Sequence, residues 1–289
     1  MAETILCAVD DSDAARQVFD TALGLADAWG ADVVVVHVRG SDDAGAEDSI
    51  RARLAGAPEA PTVRLVEGSP AQAILELVDQ EGAAMLVIGS RGRGSLRAAV
   101  LGSVSRELAS DAPCPVVIVP SGMLSAGTSG GAEDADASVV CGVDGSDEAL
   151  AAARLAGRLA TRLGCRLVVV HARQNLSAVR AYPGASSATP PVTGQEDAVR
   201  ELADQVLKKA EAAAGIDAVR VVEPGPPAEV LEAVADRERA RLIVIASRGV
   251  GALRAALLGS VAGELPLTAD RPVVVLSGPA AAVAARSAP

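Results

Sequence analysis

Aromatic side chains are almost missing from this chain: Phe19, Trp29 and Tyr182 are the whole set in 289 residues. A surface that stacks unpaired bases needs several such rings, so single-stranded nucleic acid is excluded as a partner. The core must instead be built from Val, Leu, Ile and Ala, which suits buried parallel sheets. Lysine is nearly as scarce, with only Lys208 and Lys209 among 26 basic residues. Both sit in a polar helical stretch, which removes the G-x-x-x-x-G-K-[ST] phosphate loop and most lysine-based chemistry. Positive charge is also outweighed overall. A formal net charge of −11 disfavours broad attraction to nucleic acid or other polyanions.

The four cysteines, Cys7, Cys114, Cys141 and Cys165, show no C-x-x-C or Cys/His ligand spacing and read as buried, reduced thiols. No apolar run approaches the roughly 18 residues of a membrane span, so no membrane partner is expected. The start, MAETILCAVD, lacks a basic segment followed by an apolar one, and the expected location is cytoplasmic. What remains is an ordinary globular composition, 50% hydrophobic and 22% charged. The length suits two domains of about 100–200 residues each.

The text is written twice. TILCAVDDSDAARQ at 4–17 matches SVVCGVDGSDEALA at 138–151, pairing Asp10 with Asp144 and His37 with His171 at an offset of 134. Gly68, Gly92 and Gly102 pair with Gly225, Gly249 and Gly259 at an offset of 157, so copy two carries 23 extra residues. The Pro/Ser/Ala-rich text at 177–194 is the candidate insertion. Within each copy, short apolar runs alternate with amphipathic stretches. In copy one the strands read as 4–9, 32–38, 62–66, 84–89 and 116–119, with helices near 12–29, 44–55, 70–81 and 102–110. Ser12 and Asp13 read as the N-cap of the first helix, Gly30 as its stop and Pro70 as the first residue of the third. Such alternation means βαβ units, a parallel sheet and helices on both faces. The expected domains are 1–120 and 138–278 (insertion about 174–196), a Gly/Ser/acidic linker at 121–137 and a flexible tail at 279–289.

Residues 85–103, MLVIGSRGRGSLRAAVLGS, return at 242–260 as LIVIASRGVGALRAALLGS. A strand, a Gly-rich loop and a helix N-terminus together present backbone N–H groups and a positive dipole end, a ready site for phosphate. The dinucleotide fingerprint G-x-G-x-x-G does not fit. It belongs after the first strand, and here the third glycine is missing.

Gly89-x2-Gly92-x9-Gly102-Ser103 resembles the nucleotide-binding signature G-x2-G-x9-G-[ST] of the universal stress protein family. Val9-Asp10 ending strand one, Val36-His37 in strand two, Val66-x-Gly68-x-Pro70 and Pro113-Cys114-Pro115-Val116 fit the same family. The likeness covers both copies, so the chain is similar to a tandem member. It implies an α/β fold of two doubly wound domains, adenine nucleotide alpha hydrolase-like, each with five parallel strands in the order 3-2-1-4-5. ATP is then expected at the C-terminal ends of strands one and four. Family domains commonly pair through their fifth strands, which implies an intrachain pseudo-dimer and leaves a homodimer of chains open.

The glycines at 89, 92 and 102 leave room for backbone to approach phosphate and tolerate positive φ. By resemblance Ser103 faces the phosphates, Asp10 the ribose, and Val38 the adenine through its backbone. Gly68 lies on the same sheet edge. Arg91, with Arg93 and Arg97, either neutralises phosphate or forms a solvated loop face. In copy two the matching residues are Asp144, Gly225, Gly249, Gly259 and Ser260, but Ala246 stands where Gly89 does. The added methyl weakens the second site if the position needs positive φ or touches ligand. His37 and His171 read as core or pocket-wall residues. The expected function is an ATP-binding stress or regulatory module with at most slow hydrolysis. The alternative is a weak ATPase or nucleotidyl-transferring enzyme with Mg²⁺ on Asp10 and Asp144.

Overall fold

In a computed structural model, the structure describes residues 3–40, 45–55, 61–91, 100–121, 136–173, 195–249 and 258–286. The proposed insertion text and nearly all of the linker lie outside them. The first half runs β1 Glu3–Ala8, α1 Ala15–Trp29, β2 Ala31–Arg39, α2 Ala46–Arg53, β3 Thr62–Glu67, α3 Pro70–Glu81, β4 Met85–Gly89, α4 Ser103–Asp111 and β5 Val116–Val119. The second half runs β6 Ser138–Gly142, α5 Asp147–Leu163, β7 Arg166–Arg173, α6 Gln195–Ala214, β8 Ala218–Pro224, α7 Pro227–Arg237, β9 Ala240–Ala246, α8 Ser260–Thr268, β10 Val273–Leu276 and α9 Gly278–Arg286.

Each half is a parallel five-stranded sheet, and the two are continuous: the order is β3-β2-β1-β4-β5-β10-β9-β6-β7-β8. β5 and β10 meet antiparallel, with Val117 opposite Val274. In each half the crossovers leave in opposite directions from the seam between strands one and four. That reversal opens a crevice at the strands' C-terminal ends, where ligands bind in open α/β sheets.

The strands are apolar on both sides because both faces are covered. One layer joins α1, α2, α5, α6 and α9 over Cys7, Val35, Val87, Val117, Val169 and Val244. The other lies over Leu6, Val36, Leu86, Ile118, Val140 and Ile243, under α3, α4, α7 and α8. α1 shows the local cause. Ala15, Val18, Phe19, Ala22, Leu25 and Ala26 recur at helical spacing and are all buried. Gly30 then stops the helix in the left-handed conformation, φ 67, with its N–H turned to Asp27 O.

Two local expectations are corrected. Ser12 and Asp13 do not cap α1, which starts at Ala15 after Ala14 without a side-chain cap. Asp13 instead accepts from Arg53 Nη1 at 3.2 Å, and Ser12 turns to Asp10. The tail expected to be flexible from Pro279 holds the helix α9 through Arg286. Ser277 caps it by accepting from Ala280 N at 3.0 Å, and Ala280 is buried. An alanine-rich stretch needs little more than a cap and one buried face to become helical.

Candidate functional site

In the second half, β6 ends at Gly142, and Val143 continues its pairing through N–H to Val170 O at 2.9 Å. Asp144 is therefore delivered to the rim of the sheet. Its Oδ1 accepts from Ser146 N at 3.0 Å and Ser146 Oγ at 2.7 Å. Ser146 Oγ in turn accepts from Ala149 N and caps α5. In the first half Asp10 Oδ1 accepts from Ser12 N at 3.1 Å and from Ser12 Oγ. Neither aspartate is itself the helix cap; each organises the turn that leaves strand one.

The loop after strand four closes over this turn. A methyl built on Gly249 would overlap the Asp144 carboxylate, so that glycine is required by close approach. Gly259 N donates to Ser247 O at 2.7 Å, and Gly102 N to Ser90 O at 3.1 Å. These bonds draw the N-termini of α8 and α4 back onto their strands. The first helical bonds run from Gly263 N to Gly259 O and from Arg106 N to Gly102 O. The amides of Ser260, Val261 and Ala262, like those of Ser103, Val104 and Ser105, precede them and have no intrahelical acceptor. Neither helix has a side-chain cap.

The described signature glycines do not use the positive φ that glycine tolerates. Gly102 and Gly259 are extended, with φ −55 and −63, and Gly89 is a regular strand residue paired with Val119. A methyl at Gly89 would meet Arg91 O at 3.2 Å and Val18 Cγ2 at 3.5 Å, a contact that small shifts absorb. Ala246 accordingly continues β9 opposite Leu276. Left-handed backbone is needed instead at Gly68 and Gly225, φ 117 and 146, where β3 and β8 turn into the following helices.

Between these parts the second half holds a cavity of about 480 Å³. Asp144, Arg248, Gly249, Gly259 and Ser260 line one end, with Ala246 beside them. Val143, Val170, Ala172, Leu231 and Ile245 line an apolar remainder. The structure thus brings together Asp144, Gly249, Gly259 and Ser260. It leaves Gly225 off the wall, with its N–H bonded to Arg173 O at 2.9 Å; Pro227 and Leu231, just beyond, reach the cavity instead. Ala172, the counterpart of Val38, lies on the cavity wall. Pro227, Leu231 and Ile245 were missed because their apolar periodicity is also that of a core residue. In the first half Asp10, Val38, Gly68, Gly89, Arg91, Gly102 and Ser103 occupy matching places, while Gly92, Arg93 and Arg97 lie outside the described residues.

The two histidines tie the strands beneath each site. Nδ1 of His37 meets Val9 O at 2.9 Å, and Nδ1 of His171 meets Val143 O at 2.8 Å. A carbonyl only accepts, so Nδ1 carries the proton in both rings. Three of the four thiols are equally structural: burial pushes Cys114 and Cys141 up to about 12 and Cys7 further up, so none of these three is a thiolate near neutrality. Among the described residues no three His, Cys, Asp or Glu side chains gather as a metal site, and no helix is long and apolar enough to cross a membrane.

A family model described as the universal stress protein family matches residues 1–52, 40–120 and 137–277. The universal stress protein Rv2623 of Mycobacterium tuberculosis is 35% identical over 222 residues, 74% of this chain and 68% of that protein. Universal stress protein Rv2005c of the same organism is 33% identical over 217 residues, 73% of this chain and 67% of its own length. Among solved structures, a universal stress protein from Archaeoglobus fulgidus superposes with a TM-score of 0.61 at 20% identity, covering 94% of this chain and 95% of that one. At that identity the likeness speaks for the fold.

Proposed function

The chain belongs to the universal stress protein family, and on that premise we propose that each copy, 1–120 and 138–278, binds ATP as a regulatory stress-response module with at most slow hydrolysis. The observation that carries this reading is the 480 Å³ cavity at the C-terminal ends of β6 and β9. It combines apolar walls suited to a base with an uncapped helix N-terminus suited to phosphate. The antiparallel β5–β10 ladder supports treating the two copies as an intrachain pseudo-dimer.

Binding is favoured over turnover by what lines the wall. Among the described lining residues Asp144 is the one carboxylate and Arg248 the one cation. Asp144 already accepts two hydrogen bonds on Oδ1. A Mg²⁺ ion arriving with the nucleotide fits a single carboxylate plus phosphate oxygens, with Asp144 and Asp10 as the protein donors. It would screen phosphate charge there.

Isothermal titration with ATP and ADP tests the proposal, together with mass spectrometry for nucleotide carried through purification. Heat on titration, or carried nucleotide, is expected. Gly249→Ala, which drives a methyl into Asp144, weakens binding at the second site about tenfold. No heat and no carried nucleotide reject the reading.

A further inference from the structure

The two copies build the apolar wall of the site from matching positions but not from equal bulk. In the second half that wall includes Val143, Val170 and Ile245. The repeat places the identical residues Val9, Val36 and Ile88 at the same points of the first half. Three positions differ: Gly142 stands where Ala8 does, Ala172 where Val38 does, and Leu231 where Ile74 does. The strand registers coincide, with Ala8 opposite Val36 and Gly142 opposite Val170. Ala8, Val38 and Ala172 are partly buried against the same core layer. The second wall therefore carries three side-chain carbons fewer, one at Gly142, two at Ala172 and none at Leu231.

A methyl at Gly142 would stand 2.9 Å from Leu231 Cδ1 and 3.3 Å from Ile245 Cγ2. Leu231 thus rests its methyls against β6, in space that the Ala8 methyl claims in the first half. In an apolar pocket one methylene more or less discriminates ligands by about 10–200-fold, so three carbons are enough to separate two sites. All the differing residues are apolar, and the freed room offers an added polar group no side-chain partner, which makes burying one there costly. We propose that the second site is the wider of the two: it admits an adenine nucleotide whose base carries a small apolar substituent, and the first site rejects it. Gly142 and Ala172 set the difference. The proposal rests on the nucleotide reading of both sites and specifies which nucleotides each one takes.

The test is amide hydrogen exchange of the full chain titrated with ATP, 2-methylthio-ATP or N6-ethyl-ATP. Residues 8–15 report the first site and 142–149 the second. The two analogues enlarge the base on different edges. At 142–149 at least one analogue is expected to half-protect within about threefold of the ATP concentration, while at 8–15 both need at least about tenfold more than ATP. Exchanging the walls reverses this. Ala8→Gly with Val38→Ala lowers the analogue-to-ATP ratio at 8–15 about tenfold, and Ala172→Val raises it at 142–149 by a similar factor. Where ATP protects 142–149 alone, the Ala172→Val ratio decides. Equal ratios at the two segments, a ratio that Ala172→Val leaves unchanged, or ATP protection of 8–15 alone overturns the inference and leaves nucleotide binding standing. ATP that protects neither segment overturns both.

Discussion

Two glycines inside helices show how local propensity and packing compete at a single residue. Alanine is favoured over glycine in a helix interior by about 1 kcal/mol. At Gly263 in α8 nothing lies near the added methyl, so Gly263→Ala is expected to stabilise by about 0.5–1 kcal/mol. At Gly157 in α5 the methyl would overlap the backbone carbonyl of Ala214 in α6, an atom that cannot rotate away. Overpacking of that kind costs about 1–3 kcal/mol, so the steric term wins and Gly157→Ala destabilises. Urea unfolding checks the pair: the midpoint rises for the first and falls for the second, with unchanged m. Both positions read alike in the sequence. The difference lies in a neighbour 57 residues downstream, which no local pattern reports.

Helix ends are the elements' most legible feature and also their commonest exception. Gly30, Gly82 and Gly164 close α1, α3 and α5 in the left-handed conformation. At the place in copy two that matches Gly82, Arg239 follows α7 with φ 49, the one described non-glycine residue with positive φ. A side chain there costs about 1–2 kcal/mol, partly offset by the greater chain entropy of unfolded glycine. Arg239→Gly is therefore expected to stabilise by about 0.5 kcal/mol, seen as a rise in melting temperature; a fall would show that the Arg239 side chain contributes more than its strain. Alternating apolar runs and Gly/Pro punctuation placed nearly every strand and helix within a few residues. The misses have physical causes. Pro266 lies inside α8 and does not stop it, because a last-turn proline sacrifices one N–H and the chain runs on to Thr268. α9 escaped notice because its text, mostly alanine, alternates no apolar with polar residues.

At the scale of the molecule, the buried thiols set a limit on alkaline stability. Cys114 and Cys141 rise from an ordinary 9.0 to about 12 when folded. Above pH 9 the unfolded chain loses these protons while the folded chain keeps them, so stability falls as pH rises through that window. Near pH 10.5 the loss is about 2 kcal/mol per thiol, and Cys141→Ala is expected to remove that much of the pH dependence of the urea-derived unfolding free energy between pH 7.5 and 10.5. The same burial follows from one continuous ten-stranded sheet sandwiched between two helical layers. The sequence by itself determined the duplication, the α/β class, the crevice-forming strand-loop-helix units and the family, because hydrophobic period and glycine spacing are local and survive in text. Only the tertiary structure decided that Gly249 is held by close approach to Asp144 and that the described signature glycines make no use of positive φ. It alone showed that Gly225 stands off the cavity while Leu231 lines it, and that a helix at the far end of the chain packs on both halves. Those are distances between residues remote in sequence, fixed only when the whole sheet closes around them.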